Sequence, residues 1–119
     1  MTTVLVVEDE RAIADLLGII LADEGYRVVV ARNGREGLAR VAERRPDVIF
    51  SDIMMPVLNG LMMGRTLHDD PAYRTIPLVF MSAVPLPPSA LASHYVAFLA
   101  KPFSLDDVLD TIARVLAPA

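Results

Sequence analysis

Cysteine and tryptophan are absent from the 119 residues, and lysine occurs once, at position 101. Without cysteine the chain has no disulfide framework, no thiolate metal site and no cysteine nucleophile. Prolines interrupt the longest apolar stretch, between Ile76 and Leu91, so no run reaches the roughly 20 residues that cross a bilayer. The first residues lack the basic flank and apolar run of a signal peptide. These absences predict a soluble, cytoplasmic protein that does not bind a membrane.

The composition predicts a single globular domain over residues 1–119. Apolar residues make up 54% of the chain and charged residues 22%, which is enough to bury one core. A chain of this length has no room for a separate substrate domain. The formal net charge of −4 argues against direct binding to nucleic acid, because phosphate contacts need clustered basic residues.

Short apolar strands alternate with amphipathic helical segments. The predicted strands cover residues 4–7, 28–31, 48–50, 78–81 and 96–100. Apolar residues at helical spacing predict the first helix at Ile13, Leu16, Leu17, Ile20 and Leu21. Strands that are apolar throughout are typical of a parallel sheet, and right-handed crossovers place helices on both of its faces. We expect an α/β, doubly wound, five-stranded parallel sheet with five helices.

Several residues mark where the predicted helices begin and end. Gly25 suits a left-handed terminator of the first helix, Asn33 opens the second, and Ser104 caps the last. Three prolines within residues 85–88 remove backbone donors and leave room for only about two helical turns before the fifth strand. The fourth helix is therefore predicted to be short or irregular.

Polar residues stand where the predicted strands end. They are Glu8 and Asp9 after the first strand, Asp52 after the third, Ser82 after the fourth and Lys101 after the fifth. The carboxyl ends of parallel strands meet at one edge of a sheet, where ligands bind. Three carboxylates about 5 Å apart repel by roughly 3 kcal/mol per pair, and one lysine cannot balance them. A hard divalent cation can, so we expect Mg²⁺ or Mn²⁺ with a phosphoryl oxygen as a further ligand.

Four motifs in this order resemble the receiver domain of two-component response regulators: V-L-V-V-E-D-E, S-D-I-M-M-P-V-L-N-G, F-M-S-A and A-K-P-F. The resemblance covers essentially the whole chain and implies a flavodoxin-like sheet in the order 2-1-3-4-5. It implies that Asp52 accepts a phosphoryl group from a phosphohistidine of a sensor histidine kinase or a histidine phosphotransfer protein. It also implies metal binding by Asp9 and Asp52 directly, by the Met54 backbone carbonyl, and by Glu8 mostly through water.

The resemblance further implies a conformational switch. Lys101 and Ser82 would contact the phosphoryl group, and the inward movement of Ser82 would let Phe98 enter the vacated space. The face made by the fourth helix, fifth strand and last helix would then change for an unknown output protein or domain. The domain would be a monomer or a phosphorylation-dependent dimer, and would not be an enzyme with a free substrate.

The chain also departs from the family pattern. The stretch between Ser82 and Lys101 is a few residues shorter than usual, so the output face is expected to be remodelled. At the two positions that tune loss of the phosphoryl group stand Met54 and Val84, neither of which can orient an attacking water.

Plainer interpretations stand beside these. The acidic run that begins at Glu8 could do no more than stabilise the dipole of the first helix. Lys101 could be a solvated surface residue, and Phe98 could simply be a core residue. Two other functions remain open. One is a receiver-like module that binds a partner without phosphorylation, as the prolines after the fourth strand suggest. The other is a Mg²⁺-dependent phosphohydrolase with an aspartyl intermediate, although the chain has little room for a substrate pocket.

Overall fold

The computed structural model of the chain describes residues 1–118, in which five strands alternate with five helices. The strands are β1 (Thr3–Val7), β2 (Arg27–Ala31), β3 (Val48–Asp52), β4 (Leu78–Ser82) and β5 (Ala97–Ala100). The helices are α1 (Arg11–Asp23), α2 (Gly34–Glu43), α3 (Gly60–Asp69), a 3₁₀ helix (Pro88–Ser93) and α4 (Leu105–Leu116). No helix in this part of the chain has the length and apolar character needed to cross a membrane.

The strands form one parallel sheet in the order β2-β1-β3-β4-β5. The predicted fold class is confirmed. Every residue of β1, β3 and β4 is buried, as expected for strands covered on both faces. Side chains alternate between two cores: one contains Leu17 of α1 and Val108 of α4, and the other contains Val41 of α2 and Met63 of α3.

The predicted helix ends are confirmed by local hydrogen bonds and backbone angles. The Asn33 side chain accepts the Glu36 backbone N–H at 2.9 Å and caps α2. Ser104 and Asp107 exchange hydrogen bonds in a capping box that opens α4. Gly25, just after α1, has φ +91°, which is a left-handed conformation that suits glycine.

The fourth helix is a short 3₁₀ helix, as the prolines predicted. It packs on α3, where the Ser93 hydroxyl donates to the backbone oxygen of Leu61 at 2.8 Å. Gly64 permits this approach, because a Cβ at that position would lie 2.8 Å from the Ser93 Cβ. The segment before Lys101 is therefore fixed to α3. The Lys101–Pro102 peptide bond is cis.

Two residues that the apolar pattern placed in the core lie at the surface. The interpretation of Phe98 as a core residue is wrong, since it is 36% exposed, and Leu16 in α1 is 49% exposed. Phe98 stands in the edge strand β5, where buried and exposed residues alternate. Leu16 lies beside the buried side of α1, which holds Ala14, Leu17 and Leu21.

Val57, in the loop between β3 and α3, has φ +70°, which is rare for a β-branched residue. We expect Val57→Asn to raise the free energy of unfolding by about 1 kcal/mol, because asparagine tolerates a positive φ better than a β-branched residue does and the valine, 73% exposed, loses little burial. Urea unfolding monitored by circular dichroism measures the change. Val96→Asn is the matched control: Val96 is also exposed but has no positive φ, and it should gain nothing. Equal effects at the two positions would contradict the assignment of strain to Val57.

Candidate functional site

The carboxyl ends of four strands bring the predicted site residues to one edge of the sheet. Glu8 follows β1, and its N–H continues the pairing with β2 by donating to the Ala31 oxygen at 2.9 Å. Asp52 ends β3 and Ser82 ends β4. Lys101 follows β5, and its backbone N–H donates to the backbone oxygen of Ser82 at 2.8 Å. The sheet itself therefore positions residues that are far apart in sequence.

Three carboxylates form a cluster at this edge. Ligand oxygens of Glu8, Asp9 and Asp52 all lie within 4.8 Å of one another. Glu8 is 1% exposed and Asp52 8%, whereas Asp9 is exposed, so two of the three charges have lost most of their water. Such a set of hard oxygen donors, with more negative charge than one ammonium can balance, fits a divalent cation such as Mg²⁺. If the acidic residues after β1 only stabilised the dipole of α1, the presence of Asp52 from the end of β3 in the same cluster would have no explanation.

Lys101 extends into the carboxylate cluster. Its Nζ lies 2.7 Å from Glu8 Oε1 and 3.5 Å from Asp52 Oδ2, and its side chain is only 11% exposed. The interpretation as a solvated surface lysine is therefore wrong. The family resemblance implies a contact between Lys101 and the phosphoryl group and does not imply this close pairing with Glu8. The pairing depends on the burial of both side chains, which the sequence does not show: a buried lysine needs an anionic partner.

Asp52 is fixed by the loop that follows it. Its Oδ1 accepts the Ile53 N–H at 2.8 Å, so Oδ2 is the oxygen that faces Lys101. The loop ends at Gly60, where its backbone N–H donates to the backbone oxygen of Ile53 at 2.9 Å and closes the loop. A Cβ at Gly60 would overlap the backbone oxygen of Asp52. Only glycine allows this loop to close beneath Asp52.

The cluster opens into a cavity of about 230 Å³. The cavity is lined by Asp9, Glu10, Asp52, Met54, Ser82, Ala83, Val84 and Lys101. The Ser82 hydroxyl oxygen accepts the Val84 N–H at 3.1 Å. Phe98 does not line this cavity; it borders a separate one of about 380 Å³ beside α4. The structure thus gathers all of the predicted site residues except Phe98, whose predicted role is indirect.

Glu8 gains or loses a proton near neutral pH. Burial raises the pKa of Glu8 to about 7, against the lowering effect of hydrogen bonds from Lys101 and the Glu10 N–H, while the charge of Asp52 adds to the rise. Burial alone would lower the pKa of Lys101, but the hydrogen bond and charge of Glu8 outweigh burial and raise it. Lys101 therefore stays charged, and Glu8 is the group that titrates.

We expect the metal-free protein to lose stability as pH rises from about 5 to about 8. The pKa of Glu8 is higher in the folded state than in the unfolded state, so the folded state binds the proton more tightly. The stabilisation that this proton gives is complete below the unfolded pKa and is lost as the pH rises through 7. The loss should be about 2–3 kcal/mol. Urea unfolding in EDTA at several pH values measures it. Glu8→Gln should flatten this dependence, whereas the exposed Glu24→Gln should leave it unchanged; a profile that is flat in the unsubstituted protein would contradict the shift.

Comparison with known proteins decides which family this site belongs to. The family model described as the response regulator receiver domain matches residues 4–113, nearly the whole chain. The chain belongs to the response regulator receiver domain family. Receiver domains are regulatory parts of two-component systems, and their general role is that of a phosphorylation-dependent switch. The resemblance given by the four motifs is confirmed.

Similar proteins differ in length around the shared domain. The receiver domain is 35% identical to the response regulator MprA of Mycolicibacterium vanbaalenii over 95% of this chain, but it spans only 49% of that protein. It is 31% identical to the polar-differentiation response regulator DivK of Brucella anthropi, with 98% of both chains covered. The chain thus spans about half of one relative and nearly all of the other.

Solved structures show the same architecture. The receiver domain matches the chemotaxis response regulator CheY4 of Vibrio cholerae with a TM-score of 0.92 at 34% identity, covering 98% of this chain and 99% of that one. A putative response regulator from Chloroflexus aurantiacus gives a TM-score of 0.92 at 25% identity, covering 98% of both chains.

Proposed function

We propose that Asp52 accepts a phosphoryl group from the phosphohistidine of a sensor histidine kinase or histidine phosphotransfer protein. The observation that carries the proposal is the placement of the Asp52 carboxylate in one cavity with Lys101 and the Asp9 carboxylate. A carboxylate becomes a useful nucleophile toward phosphorus only when the incoming charge is neutralised and the reacting atoms are aligned. Family membership supports the same assignment.

The transfer exchanges one bond to phosphorus for another. Asp52 Oδ1 is occupied by the Ile53 N–H, which leaves Oδ2 as the oxygen that attacks. The new Oδ2–P bond forms as the N–P bond of the phosphohistidine breaks, and the imidazole nitrogen keeps the electron pair. Lys101, 3.5 Å from Oδ2, neutralises part of the charge that accompanies the phosphoryl group.

The acidic cluster would hold the cation. We assign Asp9 and Asp52 as direct ligands of Mg²⁺ or Mn²⁺, with the Met54 backbone carbonyl as a further oxygen ligand and Glu8 acting through water. The pairing of Glu8 with Lys101 supports the indirect role, because one Glu8 oxygen is already bonded at 2.7 Å. When bound, the cation supplies charge neutralisation at the phosphoryl oxygens.

The phosphoryl group would change the surface through Ser82 and Phe98. Its oxygens offer new acceptors for the Ser82 hydroxyl, which now lies beside the Val84 N–H. Movement of Ser82 toward Asp52 leaves space into which the exposed Phe98 ring can turn. The face formed by the 3₁₀ helix, β5 and α4 would change for an output partner. We expect no turnover of free phosphate esters by this regulatory domain.

Titration with Mg²⁺ and then beryllofluoride, a stable mimic of the phosphoryl group, tests the proposal. Amide resonances of Asp52, Ser82 and Lys101 should shift on Mg²⁺ addition and shift again with beryllofluoride, and Phe98 should respond to the second step only. Asp9→Asn should weaken the Mg²⁺ response, whereas the exposed Asp23→Asn should not. Absence of any Asp52 response at saturating Mg²⁺ would overturn the proposed function.

A further inference from the structure

Met54 places a thioether at the rim of the cavity that holds the Asp52 carboxylate. The residue follows Asp52 by two positions, in the loop between β3 and α3. Met54, Ala83 and Val84 form the apolar part of the cavity lining, and all three are exposed. Met54 itself is 73% exposed, so a dissolved oxidant reaches this side chain beside the site of phosphorylation.

The methionines after the first residue differ in their access to such an oxidant. Met63 and Met81 are completely buried, and Met55 is half-buried. Met62 is 49% exposed on α3, but it does not line the cavity. Within the part of the chain that the structure describes, Met54 is the methionine that is both well exposed and next to Asp52.

Oxidation converts the thioether, a weak hydrogen-bond acceptor, into a polar sulfoxide. A hydroperoxide transfers its terminal oxygen to a lone pair of the sulfur. The S–O bond forms as the O–O bond breaks, the proton moves to the leaving oxygen, and the peroxide departs as water or an alcohol. The sulfur is oxidised by two electrons, and the peroxide is reduced. Because Met54 packs against little, the new S=O group stays hydrated and the fold tolerates it.

We propose that Met54 is an oxidation site at which a hydroperoxide shortens the lifetime of the phosphoryl group on Asp52, an inference that rests on the proposed function. Loss of the group requires a water molecule that attacks phosphorus as the bond to the Asp52 oxygen breaks. The Met54 thioether cannot hold that water, whereas a sulfoxide oxygen at the same place accepts a hydrogen bond from it and orients it.

The expected acceleration is that of one added hydrogen bond. A sulfoxide is too weak a base to remove the proton of the water, so it acts by orientation alone. The decay should become about tenfold faster, which is about 1.4 kcal/mol in the activation free energy. Methionine sulfoxide is reduced back to methionine by methionine sulfoxide reductases, so the change is reversible. Oxidation of Met54 would thus end the phosphorylated state earlier without altering Asp52 itself.

The test treats the chain with hydrogen peroxide, removes the peroxide with catalase, and then loads the chain with acetyl phosphate and Mg²⁺. Mass spectrometry of peptides locates the added oxygen, and intact-protein mass spectrometry follows the decay of the phosphoryl group. We expect Met54 to be oxidised and the decay to be about tenfold faster than in the untreated chain. Treatment with a methionine sulfoxide reductase should restore the slow decay.

Three variants separate Met54 from the other methionines. Met54→Leu removes the sulfur, so peroxide should no longer change its decay rate. Met62→Leu removes the exposed methionine of α3 and should respond to peroxide like the unsubstituted chain. Met54→Gln places an amide oxygen at the rim and should decay faster than Met54→Leu without peroxide. An acceleration by peroxide that persists in Met54→Leu would place the effect on another residue and overturn the proposal.

The outcomes distinguish this inference from the proposed function. If the chain takes up one phosphoryl group and oxidised Met54 leaves the decay unchanged, the inference is wrong and the assignment of Asp52 as the acceptor stands. The inference is equally wrong if peroxide oxidises Met62 and spares Met54. If neither the treated nor the untreated chain takes up phosphate, the proposed function fails and the inference fails with it.

Discussion

Asp52→Asn is expected to abolish the uptake of acid-labile phosphate from acetyl phosphate. The amide is neutral and does not attack phosphorus, yet it has the same shape and can keep the hydrogen bond with the Ile53 N–H that the Asp52 Oδ1 makes at 2.8 Å. The fold should therefore survive the substitution while the chemistry is lost. Intact-protein mass spectrometry measures the gain of one phosphoryl group.

A matched control separates the acceptor from the other aspartates. Asp69→Asn, at the exposed end of α3, removes a carboxylate of the same kind outside the cavity and should label like the unsubstituted chain. Circular dichroism checks that both variants are folded. Labelling retained in Asp52→Asn would place the acceptor on another residue and contradict the proposed chemistry.

Once phosphorylated, the domain is expected to lose its phosphoryl group slowly. Hydrolysis needs a water that is oriented toward phosphorus, and Met54 and Val84 at the rim of the cavity offer no polar group to hold one. Both side chains are well exposed, at 73% and 60%, so substitutions there disturb little packing. The double variant Met54→Asn/Val84→Glu should shorten the lifetime about a hundredfold, at the lower end of what a positioned acid or base contributes.

The decay is followed by mass spectrometry after loading with acetyl phosphate and removal of the donor. Met54→Leu/Val84→Ile changes the same two positions without adding a polar group and should keep the slow decay. If the unsubstituted chain decays as fast as the Asn/Glu variant, the two rim residues do not control the lifetime.

The fold could be predicted well because each strand is short, apolar and bounded by polar or turn-forming residues. This pattern shows that β1, β3 and β4 are covered on both faces, but it does not show which strand pairs with which. The order β2-β1-β3-β4-β5 came from the family resemblance, and the structure confirms it. The periodicity also does not show how wide the buried side of α1 is. Leu16 fits the apolar spacing but lies at the surface.

The residues of the carboxylate cluster could be named from the sequence because parallel strands end at a common edge. Glu8, Asp52 and Lys101 stand immediately at strand ends, and the sheet order then brings them together. The sequence could not reveal the partner that each charge selects, because that depends on side-chain burial. Lys101 lies nearer to Glu8 than to Asp52 for this reason, since the completely buried Glu8 side chain most needs a cation.

The burial of Lys101 has a practical consequence for chemical labelling. An amine-reactive reagent finds a single side-chain amine in these 119 residues, and that amine is 11% exposed and bonded to Glu8. Acylation of this position will be slow while the pair is intact and will speed up or slow down whenever its neighbours rearrange. The rate of acylation at Lys101 therefore measures whether the carboxylate cluster has rearranged, and the measurement needs no isotope or fluorophore.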